Sequence, residues 1–384
     1  MTEWDTFRNI LDNIYDKVLE YYKKKDNTIL TNLSDVQRKW LEILVQHIEK
    51  QKSVVAVVVT SLLKKIESPN QDVRLHRDEF DGGYAGRSLD TNVVTPWLKE
   101  HFPRFAPKES GWLTRSIEQP RPFTKDFPGK IRNKDVKYAF LSILEDIEEN
   151  QADPQKYLMA LLYLLLKKYK QEMQIISNFK RIDGGKDSLL TIDIIINMLK
   201  EHFSEKMASR LPVIAVYSIY QILMRNVKLY ENKILAPLKT HTTSDRYKGF
   251  GDIEVYNSDG TPFEVVEIKH NIPIDKTMIL DILKKVKDTS VKRYYILTTA
   301  EPNFKEEEKE EIFDLVHKIK RRYNIEIIPN GIIPSLKYYL RFVPDLKEFI
   351  EKYTENLTED FKQSTDVKEF HITKLRKIRK KYKL

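Results

Sequence analysis

Apolar residues recur along the chain at two different periods, and the change of period divides it. Phe7, Ile10, Leu11, Ile14, Tyr15, Val18 and Leu19 fall three and four apart, which predicts an amphipathic helix over residues 5–24. Trp40, Leu41, Leu44 and Ile48 predict a second helix, with Asp35 as its N-cap. The run 54–66 starts β-branched, but its length and its Leu62-Leu63-Lys64-Lys65 end predict a buried helix. Between 67 and 134 the period is lost. Gly, Pro, Arg and aromatic residues concentrate there, in Asp81-Gly82-Gly83-Tyr84-Ala85-Gly86-Arg87-Ser88, Glu109-Ser110-Gly111-Trp112-Leu113-Thr114-Arg115 and Gln119-Pro120-Arg121-Pro122-Phe123. So many breakers exclude long regular elements, and so many aromatics exclude disorder. An ordered loop layer of this length is usually functional.

Helical spacing returns at 136–149, 154–178, 188–203 and 211–228. From Gly249 the pattern becomes strands at 252–256, 263–269, 293–299 and 324–328, with helices at 276–287 and 305–323 between the later ones. This order predicts an α/β (α+β) chain: a mostly helical N-terminal part followed by a mixed central sheet flanked by helices. Four segments follow: 1–134 with the loop layer, 135–228 helical, 229–345 carrying the sheet, and a basic tail at 346–384. Residues 374–383 of that tail hold seven Lys or Arg, at a spacing that allows an amphipathic helix or a nonspecific DNA clamp.

Composition narrows the class. The chain has 384 residues, 41% hydrophobic and 32% charged, with a formal net charge of +9, a balance expected of a globular protein with a polyanionic partner. It has no cysteine, which excludes disulfides, thiolate zinc sites and cysteine nucleophiles. The acidic start Met1-Thr2-Glu3-Trp4-Asp5 is unlike a secretory signal. The apolar runs 54–63 and 158–166 are far below the ~20 residues of a membrane span. A soluble, cytoplasmic protein with no membrane contact is expected.

The candidate chemistry lies between 251 and 269. Asn257-Ser258-Asp259-Gly260 is turn chemistry between two β-prone runs, so a hairpin is expected. Glu267 and Lys269, two apart, share one face of the second strand, while Val266 and Ile268 take the other. Asp252 begins the first strand, where it can lie beside Glu267. Two carboxylates suit Mg²⁺, which keeps water and phosphate as its remaining ligands, and a neighbouring lysine can orient the attacking water. By parity Glu264 faces away from Glu267, Glu254 shares the face of Asp252, and His270 points opposite to Lys269.

Asp252, fourteen intervening residues, then Glu267-Ile268-Lys269 resembles the PD-(D/E)xK nuclease motif of type II restriction endonucleases. Gly251 stands where that family often has Pro. The layout as a whole is similar, more loosely, to SacI-type restriction endonucleases. The resemblance implies Asp252 and Glu267 as ligands of Mg²⁺, with Mn²⁺ able to substitute, and Lys269 as the residue that positions water. It also implies a carboxylate just upstream, for which Glu231 is the candidate.

The implied activity is site-specific hydrolysis of double-stranded DNA; another DNA nuclease on the same core and a non-catalytic DNA-binding protein remain as alternatives. Base edges and phosphates need different contacts, Arg on guanine and Asn or Gln on adenine. Arg74, Arg77, Arg87, Asn92, Arg104, Arg115, Gln119 and Arg121, interleaved with Tyr84, Trp97 and Trp112, make the loop layer the candidate reader. Arg246 and Lys248 are candidate phosphate contacts. A palindromic target implies a two-fold homodimer.

Overall fold

The computed structural model describes residues 2–180, 190–238 and 249–382. The chain divides into two compact units, Met1–Gln174 and Ile175–Leu384. The boundary thus falls inside a helix, and the helical stretch expected at 135–228 is shared between the units. No helix among the described residues is long and apolar enough to cross a membrane.

Unit 1 contains α1 (Glu3–Lys23), α2 (Thr28–Thr31), α3 (Asp35–Gln46), α4 (Lys52–Glu67), α5 (Gly86–Leu89), α6 (Thr95–His101), α7 (Lys134–Glu149) and most of α8 (Pro154–Lys180). Every residue from Val54 to Leu63 is buried, so α4 is the central helix, apolar on all sides. Its β-branched start stays helical because packing outweighs propensity. The N-cap of α3 is Ser34, one residue before the expected Asp35. Ser34 Oγ accepts from Gln37 N at 3.2 Å while Gln37 Oε1 accepts from Ser34 N at 2.9 Å, a reciprocal capping box.

The loop layer is ordered by buried polar groups. Asp90, fully buried in a π-turn (Asp90–Val94), accepts from Ser110 Oγ at 2.6 Å, Gly111 N at 2.7 Å and Thr95 Oγ1 at 2.9 Å. Arg104, also fully buried, donates to Glu49 at 2.7 Å and to Glu172. At Gly83 a Cβ would fall 1.9 Å from the Arg77 carbonyl oxygen, so only glycine lets the two segments meet.

Unit 2 contains α9 (Ile192–Phe203), α10 (Arg210–Asn226), β1 (Lys233–Leu235), β2 (Ile253–Asn257), β3 (Pro262–Lys269), α11 (Lys276–Val286), β4 (Arg293–Thr298), α12 (Lys309–Tyr323), β5 (Glu326–Gly331), α13 (Ile332–Leu340), α14 (Leu346–Gln363) and α15 (Glu369–Tyr382). The sheet order is β1-β2-β3-β4-β5; β1, β2 and β3 pair antiparallel, β3, β4 and β5 parallel. α11 and α12 carry the two parallel crossovers. Ile279, Ile282, Ile312, Val316 and Ile319 from these helices pack on Val265, Tyr294, Ile296 and Ile327, so both cover one face. The mixed sheet with flanking helices agrees with the sequence reading, which assigned nothing to β1, α13 or α14.

The tail expected at 346–384 forms two helices, α14 and α15, and its basic end is the packed helix α15. Ile372, Leu375 and Ile378 of α15 are buried, and Lys374 and Lys381 pair with Glu201 of α9 at 3.3 and 2.8 Å. Several of its charges are therefore spent within the unit.

All four tryptophans (Trp4, Trp40, Trp97 and Trp112) lie in unit 1, so their fluorescence reports its unfolding. Asp90→Ala strands three donors and should destabilise unit 1 by at least about 3 kcal/mol in urea titrations. An unchanged midpoint would show that Asp90 does not hold the loop layer.

Candidate active site

The β2–β3 hairpin closes through Asn257 N donating to Thr261 O at 2.8 Å, with Gly260 at φ +80°. Ile253 pairs with Val266, which sets Asp252 opposite Glu267. Asp252 then grips β3 on both sides of Glu267. Its own N donates to Val266 O at 2.9 Å, and its Oδ2 accepts from Ile268 N at 2.7 Å. Glu267 and Lys269 share a face, as the alternation predicts, and Lys269 Nζ donates to Glu267 Oε1 at 2.6 Å. Their side chains stay 15% and 30% exposed, open enough to meet solvent or a ligand. Lys269 is level with Thr298 and Gly331, so the group sits at the C-terminal edge of the parallel strands, where open α/β sheets bind ligands.

Two further side chains surround the turn that leads into Asp252. Glu254, 2% exposed, accepts from Phe250 N at 2.7 Å, from Gly251 N at 3.3 Å and from Tyr256 Oη at 2.7 Å. Tyr294 of β4, fully buried, donates to Phe250 O at 2.7 Å and lies 3.4 Å from Glu267 Oε2. Burial first, then the charges of Glu267 and Asp252, push the Tyr294 hydroxyl well above its ordinary range and keep it a donor. Parity singled out Glu254 in the sequence; Tyr294 was missed. The available signal was a tyrosine in a buried strand, whose hydroxyl needs a partner.

At Gly251 a Cβ would come within 2.6 Å of Val265 Cγ1 and 2.9 Å of Val266 O. The proline often found there in the resembling family would also lack the N–H that Glu254 accepts. Glycine is therefore required by this packing.

Glu264 lies on the opposite face, as its parity predicts. Fully buried, it accepts from Tyr220 Oη of α10 at 2.7 Å and from Tyr230 Oη at 2.9 Å. Its second oxygen has no hydrogen-bond partner, and Arg293 is 3.9 Å away. His270 Nδ1 pairs with Thr299 Oγ1 at 2.9 Å, a structural role.

The structure does not bring Glu231 to this group. β1 runs antiparallel to β2 with Lys233 opposite Asn257, so Glu231 stands by the hairpin end. Lys233, level with Asn257, is itself five positions along the strand from Asp252, on the order of 15 Å, and Glu231 precedes Lys233 by two residues. Glu231 is exposed in a turn.

The loop-layer candidates separate into two sets. Tyr84 is a core residue, 7% exposed, with its hydroxyl 3.3 Å from Ser61 Oγ, so it is corrected from a DNA contact to packing. Arg104, Trp97 and Trp112 are likewise buried. Arg74 is paired with Asp72 and Glu149. Asn92 Nδ2 donates to Ser88 O at 2.8 Å and Gln119 Nε2 to Arg115 O at 3.1 Å. Arg77 pairs with Glu79 at 2.8 Å. Arg87 and Arg115 are exposed, and their side chains make no hydrogen bond or ion pair among the described residues. Arg77 and Arg87 line one cavity of about 240 Å³, together with Glu79, Glu118, His76 and Trp112. Arg246 and Lys248 lie outside the described residues.

Among the described residues no group of three or more His, Asp or Glu side chains is arranged to hold a metal ion. Asp252 and Glu267 are a pair of carboxylates on adjacent strands at a partly open edge. That donor set fits a hard divalent cation held by two protein groups plus water and substrate oxygens. Comparison of the chain with protein-family models and with curated proteins finds no match.

Burial raises Glu264 above the usual carboxylate range, so the folded state keeps a proton that the unfolded chain releases. Its contribution is full below the unfolded pKa and is lost as pH rises through the raised folded pKa. Glu264→Gln keeps an oxygen for both tyrosines and does not titrate. Its melting temperature should equal or exceed that of the parent at about pH 8, and the parent should gain on it towards about pH 4. Parallel pH profiles for the two proteins would show that Glu264 does not couple folding to protons.

Proposed function

We propose that the protein is a Mg²⁺-dependent endonuclease that hydrolyses phosphodiester bonds of double-stranded DNA, acting as a type II restriction endonuclease at a short specific sequence. The observation that carries this reading is the meeting of Asp252, Glu267 and Lys269 at one edge of the sheet, on the strands where the PD-(D/E)xK resemblance expects them. The antiparallel hairpin followed by two parallel strands with helical crossovers supports it, as does the net charge of +9.

In this reading Asp252 and Glu267 hold Mg²⁺, or Mn²⁺ in its place. The ion offsets phosphate charge and lowers the pKa of water. Lys269, kept beside Glu267, orients the attacking water and stabilises the charge that develops on the phosphate oxygens. Asp252 is fixed in this role through the hydrogen bond that its Oδ2 accepts from Ile268 N. Exposed Arg87 and Arg115 are the first candidates for base or phosphate contacts. A palindromic target requires a homodimer.

Purified protein should cut plasmid DNA into discrete fragments with Mg²⁺ and stop with EDTA. Asp252→Asn, Glu267→Gln and Lys269→Ala should each lower cleavage at least about 100-fold while DNA binding in gel shifts persists. Glu264→Gln should cut like the parent. Normal cutting by all three site variants would end this reading.

Arg87→Ala or Arg115→Ala should cost about 1–3 kcal/mol of site discrimination if the side chain reads a guanine, or weaken binding equally at all sequences if it touches phosphate. Unchanged binding and cutting by both variants would return the loop layer to a purely structural role.

A further inference from the structure

The turn into Asp252 is held more firmly than a surface loop requires. Besides the bonds that tie Asp252 directly to β3, the peptide unit one residue upstream, between Phe250 and Gly251, is held in place. The carbonyl of that unit, Phe250 O, accepts from Tyr294 Oη at 2.7 Å. Its amide, Gly251 N, donates to Glu254 Oε1 at 3.3 Å, and the preceding amide, Phe250 N, donates to the same oxygen at 2.7 Å. Both ends of one peptide plane are thus tied to buried side chains from different strands, and Gly251 has no room for a Cβ. A peptide gripped at both its C=O and its N–H cannot rotate without breaking one bond or the other.

Tyr294 also stands at Glu267. Its hydroxyl oxygen is 3.4 Å from Glu267 Oε2, so one phenol touches the chain that sets Asp252 and the other carboxylate of the pair. Glu254, for its part, is kept in place by Tyr256 Oη at 2.7 Å. A hydrophobic pair at these two positions would fill the same volume and satisfy neither end of the peptide. A carboxylate buried only for packing would be costly, since it needs charge-assisted donors to remain there.

We infer that Glu254 and Tyr294 are positioning residues that set the separation of the Asp252 and Glu267 carboxylates for a divalent cation, an inference that rests on the nuclease reading above. Neither residue meets substrate. They act by fixing the backbone of one carboxylate and the approach to the other, as outer hydrogen-bond partners do at metal sites.

The test uses Mn²⁺ as the probe, its binding followed by electron paramagnetic resonance on the full chain, with melting curves beside it. The proteins are the parent, Asp252→Asn, Tyr294→Phe, Glu254→Gln and Glu264→Gln. The last replaces the carboxyl of a buried glutamate on the other face of β3 and controls for general loosening of the sheet. Tyr294→Phe and Glu254→Gln should weaken Mn²⁺ binding about 10–100-fold, while Glu264→Gln binds as the parent does. A cleavage titration should show the same shift in the Mg²⁺ concentration required, with the maximal rate at saturating metal largely restored. If both variants bind Mn²⁺ like the parent while Asp252→Asn does not, the metal pair stands and the positioning role is overturned. If the parent and Asp252→Asn bind Mn²⁺ equally, the metal pair itself is wrong, and the positioning role falls with it.

Discussion

Two neighbouring strands of this protein hold four carboxylates, Glu254 and Glu264 buried and Asp252 and Glu267 half-buried, and each is supplied with donors. A carboxylate removed from water without partners costs several kcal/mol, so the chain around it is arranged to bring N–H and O–H groups to it. Asp252 takes the amide of Ile268, Glu254 the amides of Phe250 and Gly251, Glu264 the hydroxyls of Tyr220 and Tyr230, and Glu267 the ammonium of Lys269. Those donors come from a turn, from α10, from the 228–230 turn and from β3 itself. Meeting the demand of the carboxylates therefore ties α10, the 228–230 turn and the turn before β2 to the β2–β3 hairpin.

That strand is where antiparallel pairing gives way to parallel pairing. With β2 on one side it forms a hairpin, which brings Asp252 level with Glu267. With β4 on the other it forms the first of two crossovers, which puts Lys269 level with Thr298 and Gly331 at the C-terminal edge. Strand alternation then divides its acidic residues. Glu264 goes among tyrosines on one face and is pushed towards its neutral form, while Glu267 stays beside a lysine at the edge. One strand thus carries a carboxyl that burial drives towards neutrality and another that keeps a cationic partner.

Unit 1 obeys the same rule with different residues. Asp90, Arg104 and His76 are buried polar groups whose partners organise segments with no regular structure of their own. His76 Nδ1 accepts from Trp112 Nε1 at 2.9 Å, and its ring stacks on Phe123 at 3.7 Å between centroids. Burial lowers its pKa to about 4, so it serves as a neutral acceptor and not as a charge. The aromatic and arginine content that marks this layer in the sequence is thereby shared between packing and an exposed remainder, chiefly Arg87 and Arg115.

Local periodicity alone was enough to place the helices from α1 to α12 that carry a strong apolar stripe, the hairpin at 257–260, and the faces of Glu264, Glu267 and Lys269. A period of two or of 3.6 and a turn signature are properties of adjacent residues, so they can be read without the fold. β1 escaped because three residues at a sheet edge carry no period, and Glu231 was misjudged because its distance from Asp252 depends on the direction of that unseen strand. Arg104 read as a candidate for DNA because its partners, Glu49 and Glu172, lie 55 and 68 positions away. Tyr294 and Tyr84 went unassigned or were misassigned for the same reason. Sequence determined which residues alternate and which repeat, since neighbours in the chain decide that. Only the tertiary structure decided which charges and hydroxyls leave water, because the groups that make their burial tolerable come from distant parts of the chain.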